Sequence, residues 1–116
     1  MLNFTGSLKV YVAIEPADLR KSFTGLWALT VNELHSDPRS GGLFVFTNRR
    51  RNRVKVLYWD GTGLWVMTKR LEKGTFAWPK GVKVKHGRLP LRPEALALLL
   101  DGVDLRGGKF RPWYQR

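Results

Sequence analysis

Arg49, Arg50, Arg51 and Arg53 stand together between two apolar runs, LFVFT before them and VKVLYW after. A guanidinium is planar, permanently charged and able to grip an oxyanion through two parallel N–H donors, so this cluster carries the chemistry of phosphate binding. A connection that had only to turn and stay solvated would use Asn, Gly or Ser instead. Lys55, Lys69, Arg70 and Lys73 follow and extend the set of candidate contacts. Contacts of this kind hold a nucleic-acid backbone without reading its sequence.

Aromatic residues lie among these bases. Trp59 and Trp65 could stack on unpaired nucleotides, as in single-strand binders, and Tyr58 and Trp78 belong to the same stretch. Large aromatics also fill small cores, and their placement on strand-like runs favours packing over stacking. The acids offer less. Asp60, Glu72, Asp101 and Asp104 are the ones to test for metal-dependent cleavage, which requires ligands converging on one point. No recognisable spacing draws three of them together, and Asp60 already has a use in an Asp-Gly turn. His35 and His86 are isolated and cysteine is absent, which removes Cys-ligated zinc, disulfides and thiol catalysis. The chain is therefore expected to be non-enzymatic, with no metal and no cofactor.

Charge is unevenly placed along the chain. Over 116 residues, 21 Lys and Arg face nine Asp and Glu, a net charge of +12 with an isoelectric point near 10.8. Residues 39–92 hold fourteen of the bases against Asp60 and Glu72 alone, so this central segment carries the whole excess. A field concentrated in this way attracts polyanions, whereas an even spread would mainly aid solubility. Nucleic acid is the expected partner, with an anionic membrane surface or an acidic protein as alternatives. No apolar run nears the roughly 18 residues of a membrane span, and no leader opens the sequence, so the expected location is cytoplasmic.

The elements that must position these groups can be read from periodicity. Residues 8–14, LKVYVAI, alternate as a strand that ends at Glu15-Pro16. From Pro16 the period lengthens, and Leu19, Phe23, Leu26, Trp27, Val31 and Leu34 recur at the spacings of one helical face. Asp37-Pro38 marks its exit, and Gly25 lies inside it at some cost in propensity. Strands are predicted over residues 43–47, 54–59 and 64–69, joined by the arginine turn and by Asp60-Gly61. One sheet face would align Leu43 and Val45 with Val54, Val56 and Tyr58, and the other would carry Phe44, Phe46, Leu57, Trp59 and Trp65. Residues 82–85 form a candidate edge strand guarded by lysines. Pro93 opens a leucine-rich helix over residues 94–101, on which Leu96, Leu99 and Leu100 are either core or a face for docking a partner. Residues 104–116 read as an extended tail. The expected fold is one α+β domain over residues 1–116, with a mainly antiparallel meander sheet, one amphipathic helix packed on it and the C-terminal leucine-rich helix.

Taken in order, three segments resemble a known family: KVYVAIEPADLRKSFTGL, DPRSGGLFVFTNRRRNRVKVLYWDGTGLWVMTKRLEKGTFAWP and LRPEALALLLDGVDL. They are similar to the small accessory proteins, often called TnpB, encoded by the second open reading frame of bacterial insertion sequence 66 elements. The resemblance covers nearly the whole chain, and no general turn or strand rule demands Asn-Arg-Arg-Arg, Tyr-Trp-Asp-Gly and Lys-Arg-Leu-Glu in that order. Arg39, Gly42, Ser22 and Thr24 depart from the residues usual in that family. The resemblance implies a role in transposition of a mobile genetic element, beside a separate, larger transposase that carries the catalytic acids. With the basic turn, it leads to the expectation of a DNA-binding accessory factor acting on the element's ends, with the transposase as its protein partner. The alternatives are a protein-interaction subunit docked on the transposase through the C-terminal helix, and an RNA-binding module.

Overall fold

All five residues of LFVFT are buried, and a strand buried along its whole length needs cover on both faces. The computed structural model, which describes residues 8–102, supplies it. In chain order the elements are β1 (Val10–Ala13), α1 (Phe23–Asn32), β2 (Leu43–Thr47), β3 (Arg53–Trp59), β4 (Leu64–Arg70), β5 (Arg88–Leu91) and α2 (Pro93–Leu100). Short 3-10 turns stand at Pro38–Ser40 and Lys85–Gly87. The predicted tail at residues 104–116 lies outside the described residues.

The strands form one sheet in the order β4-β3-β2-β1-β5. β2 pairs antiparallel with β3, β3 with β4 and β1 with β5, but β1 and β2 run parallel. The fold is therefore α+β with a mixed sheet. The parallel ladder follows from the connection, because parallel neighbours need a long crossover, here supplied by α1 and its flanking segments.

Val10, Val12, Leu43, Val45, Val54, Val56, Leu89 and Leu91 form one buried layer, covered by Ala95, Leu96 and Leu99 of α2 and by Phe76 and Trp78. On the opposite face, Ala13, Phe44, Phe46 and Leu57 meet Leu19, Leu26 and Leu34. Trp78 is wholly buried and its Nε1 donates to the Ala13 carbonyl at 2.8 Å, which satisfies its one polar atom. Among the described residues no helix is long and apolar enough to cross a membrane.

Several expectations are corrected. The helix begins at Phe23 rather than near Pro16. Asp18 accepts from the backbone N–H of Arg20 and its carbonyl accepts from Lys21, closing a separate turn that delivers Leu19 to the core. Leu26 and Thr30 are the buried positions of α1, while Phe23 and Val31 are largely exposed. Gly25 has a steric reason to be glycine, since an added Cβ would stand 2.7 Å from Lys21 Cβ where the chain turns into the helix. Residues 82–85 form no strand, although Val82 and Val84 lie against the core. The edge on that side of the sheet is β5, whose Pro90 pairs with Tyr11, and an edge strand can hold a residue without an N–H. Trp65 lies opposite Tyr58 and so shares its face, not that of Trp59.

Candidate nucleic-acid interface

The arginine turn is held by asparagine, not by arginine. Asn48 Oδ1 accepts from the backbone N–H groups of Asn52 and Arg53, both at 3.1 Å, and Asn48 Nδ2 donates to Asn52 Oδ1 at 2.7 Å. Thr47 Oγ1 donates to the Arg53 carbonyl at 2.8 Å. Asparagine hydrogen-bonds its local backbone readily, which is why it recurs in turns. Among the described residues, the side chains of Arg49, Arg50, Arg51 and Arg53 enter no ion pair. The cations project from a turn that does not need their bonds.

A second wall faces this turn. Ala17 N–H donates to the Thr47 carbonyl at 2.8 Å, which fixes the segment between β1 and α1 beside the end of β2. Between that segment and the turn lies an open groove of about 450 Å³, lined by residues 16–20 and by Asn48, Arg49, Arg50, Asn52 and Arg53. Arg20 thus joins the basic set, although it lies outside the central segment that carries the charge excess. Its guanidinium forks onto Asp18 through Nε and Nη2 at 2.8–3.1 Å. Those bonds, with that from the Arg20 backbone N–H, hold the Asp18 carboxyl at about 2. Asp18 is the groove's single acid, and it is already matched.

The sheet brings further bases alongside. Arg70 is the direct cross-strand partner of Arg53, an arrangement that is unfavourable unless an anion lies between them. Lys55 shares the face of Arg53 and its ammonium donates to the Lys21 carbonyl at 2.9 Å. The loop after β4, which carries Lys73, is clipped to the turn by Leu71 N–H to the Asn52 carbonyl and Phe76 N–H to the Arg51 carbonyl, at 2.9 and 2.6 Å. Arg51 stands apart from the groove, half-buried, with φ of 58°. Lys69 belongs elsewhere. Its ammonium donates to the Leu100 carbonyl at 2.6 Å, with Asp101 at 3.9 Å, so it caps the end of α2 on the other face.

The aromatic candidates do not join this site. Trp59 closes β3, whose first residue is Arg53, and at about 3.3 Å per residue the two ends of that strand are roughly 20 Å apart. Trp59 is half-buried and one of its rings lies 5.4 Å from the Arg39 guanidinium. Trp65 is 42% exposed, with Nε1 donating to Asp60 Oδ2 at 2.8 Å. Asp60 is held well below the carboxylate range by that bond and by those from Thr62 and Gly63. Among the described residues no three His, Asp or Glu gather as metal ligands, and Asp104 lies outside them.

Leu96 and Leu99 are buried against the sheet and Leu100 is half-buried beside them, so the face offered for docking a partner is turned into the core. Arg88, one of the basic central stretch, is likewise structural. Its Nη1 donates to the Leu34 and His35 carbonyls and to Ser36 Oγ at 2.6–2.8 Å, where the chain leaves α1. The rings of His35 and His86, distant in sequence, lie with centroids 4.3 Å apart and tilted by 35°. Burial, and then His35 itself, push the His86 pKa down.

Comparison with known proteins bears out the family resemblance seen in the sequence. The family described as "IS66 Orf2 like protein" matches residues 8–109. Two curated proteins of Sinorhizobium fredii (strain NBRC 101917 / NGR234) are similar to it. One, "Uncharacterized protein y4jC", is 39% identical over 112 residues, 97% of this chain and 93% of its own length. The other, "Uncharacterized protein y4hO", is 38% identical over 107 residues, 91% and 90% of the two chains. No solved structure matches.

Proposed function

Since this chain belongs to the family of IS66 Orf2 like proteins, we propose that it is a non-catalytic accessory factor that holds element DNA by its phosphate backbone during transposition. The observation that carries the reading is the groove at the arginine turn. Four guanidinium groups line it against one carboxylate, and that carboxylate is already bound to Arg20. In a surface evolved only for solubility, bases are interspersed with acids; here Arg53 even faces Arg70. A phosphate between such groups takes charge-assisted bonds from both sides.

The element's ends are the DNA and the transposase of the same element is the protein partner in this reading. Contacts to phosphate and sugar give affinity and register without base specificity. The test is filter binding of the full chain to duplex DNA, single-stranded DNA and RNA, with wild type and the R49A/R50A/R53A variant. The expected result is strong retention of duplex DNA that the variant loses. Equal retention of DNA by wild type and variant overturns the reading, and preference for RNA reassigns the groove to that polymer.

A further inference from the structure

The flank of α1 carries an apolar stripe that the core does not use. Phe23, Trp27 and Val31 are four residues apart and so share one side of the helix. Phe23 is 48% and Val31 43% exposed, and Trp27 is half-buried. The helix's buried positions, Leu26 and Thr30, lie round the axis from them. Beside the stripe the Arg39 guanidinium sits between two aromatic rings, 5.5 Å from the centroid of Trp27 and 5.4 Å from that of Trp59. Its charge is unmatched among the described residues. The adjacent carboxylate, Asp37, accepts from the Arg39 backbone N–H at 2.9 Å. Residues 23–32 contain no acid and no base, with Lys21 exposed just before them and Glu33 exposed just after.

We infer that this flank docks an acidic amphipathic helix of a partner protein, whose apolar residues cover Phe23, Trp27 and Val31 and whose carboxylate meets Arg39. Anchors at this spacing fit a helix laid along a helix. Arg39 is ordered by its rings before any partner arrives, so little freedom is lost when it takes a carboxylate. The sign of the partner follows from Arg39, the unmatched cation that lies on the rings beside the stripe. A second copy is disfavoured, because the facing surfaces would repeat the same cations on a chain of net charge +12. A membrane-surface helix would carry bases on its own polar face, which α1 lacks. Trp59 and the arginine turn close opposite ends of β3, so DNA and this partner can be held together.

The test uses the full chain and two fluorescent peptides with the same leucine stripe, one flanked by glutamate and the other by lysine, read by anisotropy. The acidic peptide is expected to bind at least about tenfold tighter, and Phe23→Ser with Val31→Ser to weaken it by about tenfold or more. Arg39→Glu should reverse the preference toward the lysine peptide. Both serine sites are exposed, so the variant keeps its fold and its DNA retention. Equal binding of the two peptides, or no loss in the serine variant, overturns the inference. Self-association of wild type that the serine variant abolishes would instead assign the stripe to a second copy. Binding to phosphatidylglycerol vesicles lost in that variant would assign it to lipid.

Discussion

Replacing Arg49, Arg50 and Arg53 together by alanine removes three of five cations at the turn end of the sheet that no carboxylate matches among the described residues. These three line the groove with Arg20, whose charge Asp18 already takes. Arg70 is added by its pairing with Arg53, and Lys55 by sharing the face of Arg53. If all five neutralise duplex phosphates, the slope of log K against log salt is about −4.5, and affinity falls about five-hundredfold between about 50 and 200 mM. The variant keeps two contacts, a slope of about −1.8 and a loss of about twelvefold over the same range. Folding should survive, because the turn is held by Asn48, Asn52 and Thr47, not by the deleted guanidiniums. The assay is a salt series of fluorescence-anisotropy titrations on one duplex, with Lys69→Ala as control. A slope unchanged in the triple variant refutes the reasoning, and so does an equal fall on loss of Lys69, which caps α2.

Arg88→Met removes three hydrogen bonds from a charged donor to the end of α1 and should destabilise the fold by about 2–4 kcal/mol in urea unfolding, since such bonds contribute about 1.5–3 kcal/mol each and overlap here; a change within about 0.5 kcal/mol would show the cap to be idle. Asp18 titrates at about 2 against an ordinary 3.8, chiefly through its hydrogen bonds to Arg20. A folded value below the unfolded one means that its stabilising contribution is complete above the ordinary value and is lost as pH falls through about 2. Arg20→Met should return the carboxyl toward 3.8 in an NMR titration, and no movement would reassign the shift. Arg70→Glu turns a like-charge cross-strand pair into an opposite one. It should raise stability by a few tenths to about 1 kcal/mol while weakening DNA retention; unchanged retention would take Arg70 off the binding surface, and a fall in stability would show that the pair is not repulsive.

The strands β2, β3 and β4 were legible as runs rich in β-branched and aromatic residues set off by turn residues. β2 occupies the predicted residues, and β3 and β4 extend one residue beyond them. The parallel ladder was hidden, because local periodicity says nothing about which strand lies beside β1. The strand at β5 was missed for a physical reason, since Leu-Pro-Leu reads as a break until it is known to lie on an edge. The alternation of Val82 and Val84 with lysines imitates a strand, yet those valines reach the core without a ladder. At the site, the arginines were visible as a cluster in sequence, but Arg20 was not. Its place depends on one backbone bond from Ala17 to Thr47. Lys69 and Arg88 looked like further surface bases, and only the fold shows their charge turned toward carbonyl groups at helix ends.

The two ends of β3 are built on different terms. At the Trp59 end no like charges are opposed: Asp60 takes bonds from Trp65, Thr62 and Gly63, and Arg39 lies over two rings, its charge unmatched among the described residues. At the Arg53 end the chain accepts like charges directly opposed, and a non-glycine residue, Arg51, at positive φ. Each departure lowers stability by an amount that a Thr or a Gly would recover. Both fall on the same few residues around a turn whose own bonds come from asparagine. Positive φ by itself marks no site, since His35 and His86 share it away from the turn, so the like-charge pair carries the argument. An anion in the groove would remove the repulsion between Arg53 and Arg70, so the same arrangement that weakens the free protein strengthens the bound one.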